Sequence, residues 1–393
     1  MQQRLSHRSQ AIQPSATLAL SDRARALKAA GHDIIALGVG EPDFDTPQAI
    51  KDAAIRAINE GQTRYTAVDG TPELKNAITD KFERDNGLKY TAAQILVSAG
   101  GKHSFFNLVL ALLNPGDEVI IPAPYWVSYP DMVRVAEAQP KIITTTIEQH
   151  FKITAAQLRA NLTDKTRLLI LNSPSNPTGM AYSADELREL GAVLLEYPNV
   201  MVVTDDIYEH IYWGQAPYAN IVNACPQLYD RTVVLNGVSK AYAMTGWRIG
   251  YVGGPQWLIA AMKKIQSQST SNPCSIAQAA AAAALAGSLE SVHSMVRAFK
   301  ERHDYVYGRL KDIPGISILP GDGTFYLFPD MKEVIARCGV QDDMALVGEL
   351  MEAGIALVPG SAFGAPGCVR LSFATSLDLL TQAVDRLQAF VER

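Results

Sequence analysis

The sequence predicts an α/β fold, a mostly parallel sheet sandwiched by helices, followed by a smaller α+β unit. Three observations carry that prediction. Between about Ile95 and Gly253 short apolar runs alternate with helix-like segments, the order that builds a parallel sheet with crossover helices. Each run is rich in Val, Ile or Leu without polar alternation, as expected of strands covered on both faces. Beyond the long helical stretch that runs from about Gln278 into the region of Arg309, the chain changes to shorter strands separated by helices.

The strand candidates, in order, are ILVS at 95–98, EVII at 118–121, LLIL at 168–171, MVVT at 201–204, VVLN at 233–236 and IGYVG at 249–253. Six consecutive alanines at 279–284 continue a helical pattern with Gln278 and Leu285, and small side chains there allow close packing, so a buried helix is expected. The later strands are ISILP at 316–320, TFYLF at 324–328, IALVP at 355–359 and VRLSF at 369–373, with helices over 341–353 and 377–391. The expected organisation is an N-terminal segment, 1–45, packing with the small unit, a large domain over 46–295, and a small C-terminal domain over 296–393. No internal repeat is visible.

Composition narrows the function classes. With 393 residues, 48% of them hydrophobic, the chain can bury a large core, and a formal net charge of −5 does not suit nucleic acid. Cysteines at 225, 274, 338 and 368 form no CxxC pair, so neither a metal site nor a disulfide framework is expected. The polar start MQQRLSHRSQ and the absence of any apolar run near the roughly 20 residues that span a bilayer point to a cytoplasmic protein without membrane association. The partner expected is a small molecule.

In open α/β sheets ligands bind beyond the carboxyl ends of the strands. In NGVSKAYAMTGWRIGY, at 236–251, a run ends at Gly237 just before Ser239 and Lys240, and Arg248 opens the next run after a reversal expected at Gly246. A lysine amine condenses with an aldehyde, and a fixed guanidinium clamps a phosphate. Pyridoxal phosphate carries both groups; an exposed Lys and Arg beside a turn is the plain alternative. After ILVS, Ala99-Gly100-Gly101-Lys102 opens a helix whose backbone amides favour a phosphate. It is no P-loop, because Leu96 and His103 stand where that motif needs Gly and Ser/Thr, and GVGEPD at 38–43 lacks the third glycine of a dinucleotide fingerprint.

The other strand ends add partners. Asn172 to Gly179, NSPSNPTG, is a proline-stiffened turn whose Asn176 can donate to a phenolic oxygen. Asp205, at the end of MVVT, can keep a pyridine nitrogen protonated, and Tyr208 three residues on can reach the ring hydroxyl. A metal site from Asp205, Asp206, Glu209 and His210 is the rival, weakened by the lack of a second ligand cluster. Trp126 is either a stacking partner or core, and Arg370, on the polar side of VRLSF, meets either a substrate carboxylate or a structural ion-pair partner.

Taken together these residues resemble a known family. IQPSATLAL, GVGEPDFDTP, RYTAVDGTPELK, the AGGK turn, APYWVSYP, NSPSNPTG, DDIYEH, SKAYAMTGWRIGY, and VPGSAFG followed by VRLSFAT are similar, nearly end to end, to the pyridoxal-phosphate-dependent aminotransferases of fold type I, class I. The chain looks most like the bacterial aspartate aminotransferases. The resemblance implies a seven-stranded sheet and pyridoxal 5'-phosphate bound covalently to Lys240, which also moves the proton at the substrate's Cα. It implies Asp205 on the pyridine nitrogen, Asn176 and Tyr208 on the ring oxygen, Trp126 stacked on the ring, and Arg248 with Gly100, Gly101, Lys102 and Ser239 around the phosphate. Arg370 would clamp the α-carboxylate, Gly40 would lie against the substrate, and Lys102 would meet a distal carboxylate, which favours aspartate and glutamate.

Tyr65 resembles the tyrosine that this family lends to the neighbouring subunit, so the resemblance implies a homodimer with shared active sites. Relatives that also aminate prephenate tend to carry a basic residue where this chain has Gln13, which argues against that acceptor. Thr324 stands where relatives commonly have alanine. Other aminotransferases or a lyase on the same fold, and a non-catalytic cofactor sensor, are the competing readings; no basic patch or DNA-binding module supports the last.

Overall fold

The computed structural model describes residues 5–14 and 16–393. Residues 1–4 of the polar start and Ser15 of IQPSATLAL lie outside the described residues. The twelve strands are β1 (Ile35–Ala36), β2 (Ile95–Ser98), β3 (Glu118–Ala123), β4 (Gln139–Thr144), β5 (Thr166–Asn172), β6 (Met201–Asp205), β7 (Thr232–Gly237), β8 (Gly250–Gly253), β9 (Tyr326–Leu327), β10 (Ile355–Ala356), β11 (Val358–Pro359) and β12 (Val369–Ser372). Seven of them form one sheet in the order β2-β8-β7-β6-β5-β3-β4. β3 to β7 pair in parallel, and β8 runs antiparallel to both β2 and β7. The fold is the expected α/β architecture, with helices on both sides of a mostly parallel sheet.

The apolar runs became strands because both faces of the sheet are covered. One face packs Ile95, Val97, Leu169, Leu171, Val202 and Val234 into one core; the other packs Leu96, Leu168, Ile170, Val203, Val233 and Leu235 into a second. The polyalanine helix Ser275–Ala286 buries Ala277, Ala280, Ala281 and Ala284, and the helix Gln48–Asn59 buries Ala53, Ala54 and Ala57 in the same way. These two helices pack against each other, and small side chains let their backbones approach.

The later part of the chain builds a two-stranded parallel pair, β1 with β10, and a three-stranded antiparallel sheet, β11-β12-β9. β1 comes from the N-terminal segment, so Ile35 and Leu37 join Leu346, Ile355, Leu371 and Leu387 in a third core. The helix Glu290–Leu310 runs continuously through residue 296. Among the described residues no helix is long and apolar enough to cross a membrane.

Several expectations need correction. The run ISILP makes only an isolated bridge, Ser317 with Asp330, because Gly315 in the left-handed region and Pro320 limit extended backbone there. IALVP divides at Leu357 into β10 and β11, which serve different sheets. The stretch from 278 to 309 is two helices, parted around Gly287. β4 was not anticipated, because QPKIIT is an edge strand whose Pro140 and Lys141 break the apolar signal. The reversal before Arg248 does not use Gly246 in the left-handed region; Ala243 (φ 50°) and Arg248 itself (φ 57°) take that conformation.

Candidate active site

The parallel register sets the floor of the site. Asn172 of β5 pairs with Asp205 of β6, and Asp205 pairs with Leu235 of β7, so the polar strand ends lie side by side at one edge. Asn172 then ties the next turn to this edge: its Nδ2 donates to the Asp205 carbonyl at 2.9 Å, and its Oδ1 accepts the Asn176 N–H at 2.8 Å. A cavity of about 660 Å³ opens above, lined by Gly40, Gly101, Lys102, Trp126, Asn176, Asp205, Tyr208, Ser239, Lys240, Arg248, Tyr326 and Arg370, among others. Eleven of these twelve were expected from the sequence; Tyr326 was not.

At one end the helix Gly101–Leu112 begins at Gly100, whose φ is 91°. A Cβ on Gly100 would sit 2.3 Å from Nη2 of Arg248, so only glycine lets the guanidinium lie against the helix start. Arg248 donates to the Thr245 carbonyl at 2.8 Å. A guanidinium beside free helix N–H groups is a cradle for a phosphate.

At the other end Asp205 is buried. Tyr129 donates to its Oδ2 at 2.5 Å and the Ile207 N–H to its Oδ1 at 3.3 Å. Burial pushes this carboxyl up to about 6, against the pull of those two hydrogen bonds. Tyr129 was missed because nothing in APYWVSYP marks it apart from its neighbours, and its partner lies 76 residues away.

Lys240 stands between these ends. Its Nζ donates to the Gly40 carbonyl at 2.6 Å and lies 6.0 Å from the centre of the Tyr208 ring. Burial lowers its pKa to about 8; Glu41 pulls the other way, and Arg370 and Arg248 add to the lowering. Arg370 is buried, with Nη1 donating to Asn176 Oδ1 at 2.9 Å and Nη2 to the Gly38 carbonyl at 2.8 Å. Its Nε has no hydrogen-bond partner among the described residues. A buried guanidinium with a spare N–H and no carboxylate is poised for an anion from outside the chain. Lys102 holds its ammonium 5.1 Å from the Trp126 ring centre, and burial, then Arg248, lowers its pKa.

Three expected features lie apart. Tyr65 is 93% exposed and does not line this cavity. Gln13 is exposed and outside it as well. The suggested metal set does not assemble as written: the group close enough to share an ion is Asp85, Glu209 and His210, without Asp205 or Asp206. The buried Lys81 ammonium already bonds Glu209 and lies 3.9 Å from Asp85. Thr324 is fully buried at φ 68°, and its hydroxyl accepts the Tyr326 N–H at 3.2 Å, a bond an alanine cannot make.

Known proteins are similar to this chain in sequence and fold. Residues 32–387 match the family model for aminotransferase class I and II. An aspartate/prephenate aminotransferase of Nitrosomonas europaea is 56% identical over 99% of this chain and 100% of its own length, and an aspartate aminotransferase of Geobacillus stearothermophilus is 51% identical over 99% of both. Among solved structures, the aspartate aminotransferase from Rhizobium meliloti superimposes with a TM-score of 0.96 at 46% identity, covering 100% of this chain and 99% of that one. That of Thermus thermophilus with maleate gives 0.94 at 40% identity, over 99% of this chain and 100% of the other. The chain belongs to the class I and II aminotransferases and is an aminotransferase.

Proposed function

We propose that the protein uses pyridoxal 5'-phosphate, held on Lys240, to transfer the amino group of L-aspartate to 2-oxoglutarate, giving oxaloacetate and L-glutamate in a ping-pong sequence. The observation that carries this reading is the meeting in one cavity of a buried amine, a buried carboxylate, a phosphate cradle and a guanidinium with a spare N–H. Each chemical group of the cofactor and of an amino-acid substrate finds a partner there. When bound, the cofactor carries the amino group and supplies the electron sink that makes the substrate's Cα–H acidic.

The residues divide the remaining work. Asp205, fixed by Tyr129 and Ile207, would hold a proton on the pyridine nitrogen. Asn176 and Tyr208 flank the ring oxygen, Trp126 covers the ring, and Arg248 with Ser239 and the amides of Gly100, Gly101 and Lys102 binds phosphate. Lys240 attacks as a neutral amine and then takes and returns the proton at Cα, tasks suited to a pKa near 8. Arg370 grips the α-carboxylate and Gly40 lies against the substrate. Lys102 meets the distal carboxylate, and that charge partner offsets the lowering that burial imposes on it.

The same reading takes the protein as a cytoplasmic homodimer. Tyr65, 93% exposed, reaches the neighbouring subunit's phosphate site, and Ile55 and Ile58, each 52% exposed and three residues apart on the helix Gln48–Asn59, offer apolar surface to a partner. Residues 296–393 with β1 of the N-terminal segment form the smaller unit beside 46–295, a division supported by the pairing of β1 with β10, whereas the helix His7–Ala11 of that segment packs on Ser128–Val135 of the larger one. Gln13 argues against a second acceptor, prephenate, but relatives 56% and 51% identical to this chain are named for it, which makes it the second reading to test. The Nitrosomonas relative has that acceptor in its name.

Borohydride treatment of the purified protein followed by peptide mapping should find a pyridoxyl group on Lys240; a label on another lysine refutes the assignment. Half-reactions with a panel of amino acids should rank aspartate and glutamate first. Faster turnover of alanine or phenylalanine by orders of magnitude would end the aspartate reading, and amination of prephenate by aspartate tests the second acceptor.

A further inference from the structure

We propose that Tyr326 is a positioning residue that joins the Arg370 carboxylate clamp to the hydroxyl of Tyr208; the inference rests on the reading that pyridoxal phosphate sits on Lys240. Three contacts converge on this one side chain, which is 1% exposed. The Arg370 guanidinium carbon lies 4.4 Å from the centre of the Tyr326 ring. The Tyr326 hydroxyl lies 3.1 Å from that of Tyr208. A Cβ on Gly40 would come within 2.9 Å of the same hydroxyl, and the Gly40 carbonyl is the acceptor for Lys240.

The geometry gives ring and hydroxyl separate tasks. The edges of the Arg370 guanidinium are held by Asn176 and Gly38, and it lies against two rings, Tyr326 with its centre 4.4 Å away and Phe363 at 4.9 Å, of which Tyr326 is the nearer. Among the described residues the hydroxyl makes no hydrogen bond to Arg370; it pairs with Tyr208, whose own hydroxyl faces the cofactor's ring oxygen in the proposed reading. Tyr326 is in turn seated by the Thr324 hydroxyl on its N–H and by its register opposite Ser372, two residues beyond Arg370 in β12. Substrate carboxylate and ring-oxygen donor are thereby placed by one rigid side chain, which makes its two ends separable by mutation.

The test uses the cofactor-loaded enzyme, with maleate as the probe for the clamp. Tyr326→Phe keeps the ring and removes the hydroxyl. It should leave the maleate Kd within about twofold of wild type and shift the pH midpoint of the visible absorbance band by about half a unit or more, as expected for loss of one neutral hydrogen bond. Tyr326→Leu removes the nearer of the two aromatic faces, leaving Phe363 in place, and should raise the maleate Kd about tenfold or more, the scale of a desolvated cation–π contact. A wild-type titration midpoint in Tyr326→Phe, or wild-type maleate affinity in a folded Tyr326→Leu, overturns the proposal. Failure of the underlying reading would show separately, as no pyridoxyl label on Lys240 of the wild-type protein.

Discussion

Lys240 is half-buried, its amine shielded from water and bonded to a neutral carbonyl, and desolvation lowers its pKa to about 8 from 10.5. Covalent capture of pyridoxal phosphate by the cofactor-free protein needs the neutral amine, so its rate should climb from pH 6.5, reach half its maximum near pH 8 and level off about one unit above that. A rate still climbing tenfold per unit above pH 9, followed by stopped-flow absorbance, would mean an ordinary lysine. Arg370→Lys exchanges a fork for a point charge and should lower kcat/KM for every amino acid about 30- to 100-fold, roughly 2 to 3 kcal/mol. Lys102→Ala should cost aspartate about tenfold or more while sparing phenylalanine, since only the former offers a distal carboxylate. Equal losses in the half-reactions would move Lys102 to the phosphate. Lys240 and Lys102 were legible because each stands just beyond an apolar run, and Arg370 because it is a charge inside one. Tyr129 and Tyr326 were not, because their roles depend on Asp205 and Tyr208, which lie 76 and 118 positions away.

The end of β6 carries two adjacent carboxylates with different fates. Asp205 faces the cavity, whereas Asp206 is fully buried behind it and accepts from Thr204 at 2.6 Å and Asn220 at 2.8 Å. Burial, and then the nearby charge of Glu209, pushes Asp206 up to about 8. Glu209 itself stays low despite burial because Lys81 and His210 offset the cost, with Asn86 and Asn236 bonding its oxygens at 2.6 Å each. A raised pKa means that the native state holds a proton the unfolded chain releases near pH 4. Stability from this group is complete below that pH and is lost as pH rises through about 8, at most about 1.4 kcal/mol per unit. Asp206→Asn copies the protonated form, so the variant should match wild type below about pH 4 and melt at a progressively higher temperature than wild type from there toward pH 8. A gap in melting temperature that does not change with pH would show that Asp206 is ionised throughout. The strand itself was plain in the sequence, since MVVT is apolar on both faces. Elements without that double burial, the edge strand β4 and the bridge at Ser317, were missed or misjudged, because their backbone is decided by partners and not by their own pattern.

At the scale of the whole molecule, the architecture was legible because a doubly covered sheet writes long apolar runs, whereas contacts between chains write little more than an exposed tyrosine. Tyr65 is 93% exposed and absent from the cavity of its own chain, while the other cofactor and substrate residues drawn from the sequence either line that cavity or, like Gly100, border it. A two-fold dimer in which each copy lends Tyr65 to the other accounts for both facts, since an isologous interface exchanges the same residue in both directions. Co-expression of differently tagged Lys240→Ala and Tyr65→Ala chains separates lending from local use. In the mixed dimer one site receives Lys240 from one chain and Tyr65 from the other, and so is intact; its counterpart lacks both. The purified hybrid should therefore show about half the activity of wild type and hold about one cofactor tightly per dimer. The Lys240→Ala homodimer should be inactive, and the Tyr65→Ala homodimer should release cofactor on dialysis. If Tyr65 served its own chain, the hybrid would contain no intact site and would lose cofactor as readily as the Tyr65→Ala homodimer, an outcome that gel filtration followed by absorbance would reveal.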